Sequence, residues 1–414
     1  MLILSWMSLS AIQRFPKPEF ESGYVQPETL LPTPRAQILN IMDVVVLLLT
    51  LSTVSWLVIR KRSRKGIFWL SLFSLAYFGF YREGCVCSIG SIQNVTLAFF
   101  DPTYTIPITV IAFFILPLLF TLFFGRTFCA GVCPFGALQD LVSFRPQPLD
   151  PRLNTSLWII PYLYLGLAVL FAATGTDFII CRYDPFVGIF RLKATFGMFI
   201  FAAILLLSGV FIARPYCRFL CPYGVLLNWI SRIARRHITI TPSECIKCRL
   251  CEESCPYDAI KMPITEKHPL ERSVVIRRFL LIFLLIPVLI VTGGLTGSLL
   301  HLSLARVNAK VRLAEAVVLQ QGDKTQPESF EITAFRSSGT PVNQLFSEAR
   351  LIIRRFYWGG WFFGGFIGLM IGLKLTGRMI IPTRNKYTPD RGSCLSCVRC
   401  VDYCPVKSET DTSR

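Results

Sequence analysis

Cys245-Ile246-Lys247-Cys248-Arg249-Leu250-Cys251-Glu252-Glu253-Ser254-Cys255-Pro256 and Cys394-Leu395-Ser396-Cys397-Val398-Arg399-Cys400-Val401-Asp402-Tyr403-Cys404-Pro405 repeat one frame. Each has three cysteines at two-residue intervals, a fourth three residues further on, and then proline. Four thiolates spaced in this way suit a [4Fe-4S] cluster. Zinc is the competing metal, but zinc ribbons pair two C-x-x-C hooks across a longer spacer. Two copies make chance negligible.

The sequence around these runs is that of a membrane protein. Of 414 residues, 53% are hydrophobic and only 16% charged, a balance foreign to a soluble globule. The predicted fold is mainly α, a polytopic membrane helix bundle of about seven spans with a split cytoplasmic two-cluster domain of bacterial ferredoxin type. A bilayer core of about 30 Å needs roughly 20 apolar residues, and segments 41–59, 67–81, 106–124, 157–174, 196–213, 279–300 and 356–375 approach that length. The basic loop Arg60-Lys61-Arg62-Ser63-Arg64-Lys65 is placed inside by the positive-inside rule, which leaves the amino terminus outside. Segments 126–156, 214–278 and 376–414 then face the cytoplasm, and both cysteine runs fall in the reducing compartment that they require. Segment 301–355 falls outside despite its basic residues, and is long enough for the rule to weaken. The predicted location is the cytoplasmic (inner) membrane.

The domain plan follows from these assignments. Residues 1–40 form an extracytoplasmic arm and 41–230 the membrane bundle. Ferredoxin half one occupies 237–270, a span 279–300, an extracytoplasmic loop 301–355, a span 356–375, and ferredoxin half two 376–414. The net charge of +18 gathers beside apolar segments, so membrane lipid is the expected partner and nucleic acid is not.

Fifteen cysteines are present, and seven lie outside the two runs. Cys129-x-x-x-Cys133-Pro134-Phe135-Gly136 and Cys217-x-x-x-Cys221-Pro222-Tyr223-Gly224 are copies of one another, each preceded by an arginine, Arg126 or Arg214. Cysteines four apart on a helical turn share a face, so the two motifs together supply the four thiolates of one inner site. Each motif ends a hairpin whose outer turn also carries cysteine: Cys85 and Cys87 ahead of Asp101-Pro102, and Cys181 ahead of Asp184-Pro185. Residues 66–140 and 155–228 therefore read as two structural repeats. A buried hydrophobe is the alternative role for a lone membrane cysteine, and for the outer Cys85, Cys87 and Cys181 the two readings stand level. As ligands they would hold an intermediate electron carrier, one thiolate short of four.

Haem is disfavoured, because the three histidines, His237, His268 and His301, all lie away from the middle of a span. Gly360, Gly364, Gly368 and Gly372 give the last span a face for close helix packing. Asp43 and Lys374 lie near span ends and are expected to snorkel to the interface. In two-cluster ferredoxins the fourth cysteine of each run binds the other run's cluster. On that pattern Cys245, Cys248 and Cys251 join Cys404, and Cys394, Cys397 and Cys400 join Cys255.

The two C-x-x-x-C-P motifs, the Gly84-Cys85-Val86-Cys87 turn and the two terminal runs resemble the NosR/NapH-type membrane ferredoxins, with a related pattern in FixG/CcoG-type proteins. The resemblance covers roughly residues 40–410. It implies an electron-transfer subunit of an oxidoreductase system rather than a stand-alone enzyme, moving electrons across the cytoplasmic membrane. The implied donor or acceptor is cytoplasmic or a quinone, and the other partner an extracytoplasmic redox or flavin protein. Larger members carry covalent FMN outside the membrane; here the amino-terminal 40 residues and Ser338-Gly339-Thr340 do not supply such a site, so flavin is expected only on a partner. A copper reductase of FixG/CcoG type and a redox-sensing or assembly factor are the alternative functions.

Overall fold

The computed structural model describes residues 36–84, 87–144, 146–147, 149–192, 195–240, 245–263, 272–322, 330–379 and 386–406. Cys85, His268 and nearly all of the amino-terminal arm lie outside them. The described residues divide into two units, one within 36–302 and 355–406 and the other within 303–354.

The larger unit is a set of helices connected by tight breaks. An uninterrupted apolar stretch sustains Gln37–Trp56, a wide π-helical turn continues it over Leu57–Lys61, and Arg62 stops it in the left-handed region at φ 48°. Ser63 caps the next helix, Arg64–Ser74, by accepting from the Gly66 amide at 3.3 Å, as N-cap serines do. A second π segment, Leu75–Tyr81, follows.

Among the described residues four stretches are long and apolar enough to cross a bilayer: Gln37–Lys61, Pro151–Ala173, Leu280–Leu299 and Val342–Gly377. Pro185–Arg191 and Phe196–Gly209 make a fifth when taken together, bent by 108°. The bend follows Leu192, whose left-handed φ of 51° ends the first of the two helices. Ile108–Phe124 is apolar but shorter, and segment 67–81 is shared between the helix Arg64–Ser74, whose Ser71 and Ser74 are buried, and the π segment Leu75–Tyr81. Large apolar side chains such as Leu49, Phe199, Leu207, Phe283 and Phe362 point outward, the surface a bilayer covers rather than water.

Inside the unit, Asp43 does not snorkel as expected. It is 1% exposed, paired with Arg82 at 2.8 Å, and accepts from the Tyr77 hydroxyl at 2.9 Å. A buried carboxylate needs such partners, and the π segment delivers the tyrosine. Lys374 lies over the Trp158 ring at 5.0 Å.

The glycine face of the last long helix meets Arg272–Leu299, which brings glycines of its own. A Cβ on Gly364 would fall onto the backbone of Gly293, and one on Gly360 onto that of Gly297. Only hydrogen fits at both crossings.

Residues 303–354, expected as a loop, are helical in Ala309–Gly322 and Phe330–Ser337, and Val342–Met379 begins well before the apolar segment. Val311, Ala314 and Val317 are buried at helical spacing, as are Leu345, Ala349 and Ile352. Lys310–Glu348 and Arg306–Glu315 ion pairs of 2.5 and 3.0 Å decorate the outside. Hydropathy averaging hides a helix whose apolar stripe is this narrow.

Candidate iron-sulfur centres

The two cysteine runs are far apart in sequence and meet in space. Ile260–Lys261, just after the first run, pairs antiparallel with Thr388–Pro389, just before the second. The Asp390 amide donates to the Ala259 carbonyl at 2.7 Å, and Lys261 and Asp390 form an ion pair at 3.5 Å. This short ribbon puts Cys255 of the first run around one small apolar pocket with Cys394, Cys397 and Cys400 of the second, walled by Ile238, Tyr257 and Val398.

Both loops use the same backbone device. Lys247 and Arg249 take φ of 54° and 66°, and their counterparts Ser396 and Val398 take 56° and 65°. Left-handed residues alternating with ordinary ones turn amides inward into an anion-binding nest. The Ser396 amide faces the Cys394 sulfur and the Arg399 amide that of Cys397. Val398 is β-branched and rare in this region. It is 1% exposed, so packing holds it there. Burial pushes the Cys394 thiol up to about 12, with Cys397 adding to the shift. A metal or cluster that needs thiolate must therefore displace its proton.

In the C-x-x-x-C-P segments the helix breaks between the cysteines. Cys129 lies in the one-turn helix Thr127–Gly131 and Cys217 in Pro215–Phe219. Cys133 and Cys221 are extended N-cap residues of Pro134–Val142 and Pro222–Arg232. The expectation of two sulfurs on one helical turn is corrected here: proline has no amide to donate and favours the first position of a new helix, so the chain turns at each Cys-Pro. Cys129, Cys133 and Cys221 are buried and Cys217 is half-buried. Three donors address the sulfurs: Arg126 Nη2 to Cys129 at 3.8 Å, Gln139 Nε2 to Cys217 at 3.4 Å, and the Gly224 amide to Cys221 at 3.3 Å. Donors of this kind suit thiolate ligands.

The two copies interlock. Arg214, from the second, salt-bridges Asp140 and donates to the Cys129 carbonyl, both in the first. The Arg214 guanidinium stands 3.1 Å from where a Cβ on Gly136 would be, and Arg126 stands 3.4 Å from the same place on Gly224. Each Cys-Pro-aromatic-Gly glycine leaves room for the other copy's arginine. The copies diverge at Asp101, which is partly exposed, and Asp184, which is 1% exposed, caps Pro185–Arg191 and accepts from the Tyr216 hydroxyl.

The ferredoxin segment rests directly on this region. Arg126 Nη1 donates to the Gly392 carbonyl at 2.9 Å, Arg214 lies over the Tyr257 ring at 5.9 Å, and Arg218 pairs with Asp258 at 2.9 Å. On the other side, Cys133 and Cys87 line one apolar cavity, and Cys87 and Cys181 line a second of about 490 Å³. Among the described residues no three His, Cys, Asp or Glu side chains close on one metal-ion position. Cys255, Cys394, Cys397 and Cys400 border one pocket together. Gln139, Asp140, Tyr216 and Tyr257 were missed in the sequence; the shared frame of arginine three residues before each first cysteine was the available signal.

A family profile described as a 4Fe-4S binding domain matches residues 106–149 and again 194–241, which contain the two C-x-x-x-C-P motifs. Another of the same description matches 238–261, around the first run. The chain is 33% identical to protein NirI of Paracoccus denitrificans over 171 residues, 36% of this chain and 24% of that protein. Regulatory protein NosR of Pseudomonas aeruginosa is 30% identical over 216 residues, 45% of this chain and 28% of NosR. Putative electron transport protein YccM of Escherichia coli is 30% identical over 164 residues, 36% of this chain and 44% of YccM. The chain thus spans less than half the length of each. No solved structure matches. A mainly helical membrane protein with 4Fe-4S binding domains is the class so defined, and its makeup fits electron transfer. Within that class the chain is similar, over part of its length, to NirI, NosR and YccM.

Proposed function

We propose that the chain carries electrons across the cytoplasmic membrane between a cytoplasmic or membrane donor or acceptor and an extracytoplasmic redox partner. One [4Fe-4S] cluster is held by Cys245, Cys248, Cys251 and Cys404, the other by Cys394, Cys397, Cys400 and Cys255. Cys129, Cys133, Cys217 and Cys221 hold a further iron-sulfur or metal centre, and Cys85, Cys87 and Cys181 an outer one. The clusters supply one-electron storage at low cost in rearrangement. The chain's own part is to space the thiols, direct amides and guanidinium groups at them, and keep water away. In this reading the amino terminus is outside, and both runs lie in the cytoplasm.

The observation that supports this most is continuity. Arg126, Arg214 and Tyr257 bridge the cavity at Cys255 and Cys394 to the C-x-x-x-C-P thiols. Shared cavities then lead from Cys133 to Cys87 and from Cys87 to Cys181. Such a path divides a membrane of about 30 Å into short steps. Vesicles with a reductant dye inside and an acceptor outside test it. Cys133→Ala and Cys221→Ala should each abolish flow while both ferredoxin EPR signals remain; unchanged flow returns these thiols to packing, and protein holding zinc without iron removes the whole reading.

A copper-handling role is a second reading, favoured by Cys87 and Cys181 lining one cavity with Ser91 and Asn94. Copper binding that disappears in Cys87→Ala would support it. Electron flow to a copper-free acceptor that persists without copper would argue for the conduit.

A further inference from the structure

Two arginines occupy equivalent places, three residues before Cys129 and before Cys217, and both are almost inaccessible, Arg126 at 5% and Arg214 at 1% exposure. Their electrostatic situations differ. Arg214 is balanced: Asp140 takes its Nε and Nη2, and the Cys129 carbonyl takes Nη1. Arg126 has no carboxylate against it among the described residues. Nη1 donates to the Gly392 carbonyl, Nη2 points at the Cys129 sulfur at 3.8 Å, and the buried Nε has no partner. A buried cation without a counter-charge is costly. The groups beside it able to become anionic are the C-x-x-x-C-P thiols, nearest Cys129, and, more weakly, Cys394 of the second run.

We infer that Arg126 is the resident counter-cation of the centre at Cys129, Cys133, Cys217 and Cys221, and that its charge raises that centre's reduction potential. This rests on the proposed membrane centre and adds to it a residue that governs its direction of transfer. When one electron arrives from the ferredoxin side, the thiolate-ligated centre gains one negative charge and no proton. A cation 3.8 Å from a ligand sulfur, itself only 5% exposed, favours that added charge. Its other end is tied to the carbonyl of Gly392, two residues before Cys394, so the group that makes the membrane centre a good acceptor also holds the neighbouring cluster's loop in place. Arg214 is the internal comparison: same frame, same burial, but neutralised by Asp140.

Redox titration of the purified full chain, followed by EPR, tests the inference. Arg126→Gln should keep the iron content and move the membrane centre to lower potential by at least a tenfold change in its oxidised-to-reduced ratio, about 59 mV for one electron, and by more than either ferredoxin-type centre. Arg126→Lys keeps the charge and should move it by much less. An unchanged potential in Arg126→Gln, or equal shifts in both variants, overturns the inference while leaving the membrane centre standing. If Arg126→Gln does not assemble, Arg126→Lys decides alone: a third centre near wild-type potential supports the charge role, and loss of that centre overturns it. Wild-type iron accounted for entirely by two ferredoxin-type clusters, and unaffected by Cys221→Ala, overturns this inference and the membrane centre together.

Discussion

The two cysteine runs share spacing and backbone, yet their settings are opposite. In the first, Cys248 is exposed and so are its neighbours Ile246, Lys247, Arg249 and Leu250. In the second, Leu395, Ser396 and Val398 are buried, and Arg126 reaches the adjoining Gly392 carbonyl. One run faces outward from the ferredoxin segment while the other is pressed against the membrane helices. In the proposed conduit, identical ligand frames would then be terminals with an order: the outward-facing one to exchange electrons with a partner, and the inward-facing one to pass them on. The Cys255 position refines the contrast, because it leaves its own run to line the cavity of the second.

The strongest test of that order is ligand removal. Cys255→Ala should cost about four iron atoms and leave an EPR spectrum like that of Cys397→Ala, while Cys404→Ala should resemble Cys248→Ala. Spectra that group by run instead would break the exchange. Loss of transfer into the membrane should accompany the first pair, whereas dye-reducible iron should remain in the second.

A smaller effect is expected from the helix that carries the second run. Gly364→Leu forces a side chain onto the Gly293 backbone, an overpacking worth roughly 1–3 kcal/mol where the helices can adjust. The prediction is a lower thermal midpoint and slower electron flow in vesicles with both ferredoxin signals still present. A variant of unchanged midpoint would show that the glycine contact does not hold the second run in place.

The smallest predicted effects separate the two loops. Arg249 is exposed and left-handed, a conformation that costs about 1–2 kcal/mol for a residue with a Cβ. Arg249→Gly should therefore stabilise by up to about 1 kcal/mol, after the extra freedom of glycine in the unfolded chain is subtracted. Val398→Gly relieves the same strain but loses a buried side chain worth roughly 1.5–3 kcal/mol, so it should destabilise by about 1 kcal/mol. Denaturant midpoints of the iron-loaded protein would show the opposite signs. Equal signs would mean that burial does not distinguish the loops.

The cysteine frame and the long apolar stretches carried much of this fold in the open, because ligand spacing and bilayer length are local properties. The glycine face was equally legible, although its partner was not: Gly293 and Gly297 lie in a segment read only for length. The break at Cys133 and Cys221 was signalled by the following prolines and overlooked in favour of helical periodicity. The burial of Asp43 by Arg82 and Tyr77, the exchange of Arg126 and Arg214 between copies, and the convergence of Cys255 on the second run all depend on contacts between distant segments. No window along the chain contains them. The helices of 303–354 were hidden for another reason, since a narrow apolar stripe amid charge averages to a loop.

The ribbon that joins Ile260–Lys261 to Thr388–Pro389 also imposes a timetable. The first strand leaves the ribosome early, and its partner emerges only after two long helices have followed it. The cavity ringed by Cys255 and the second run therefore cannot close until both of those helices have been made and the chain has returned to the same face. Closure of that pocket becomes a late event in synthesis, and it depends on the placement of both helices.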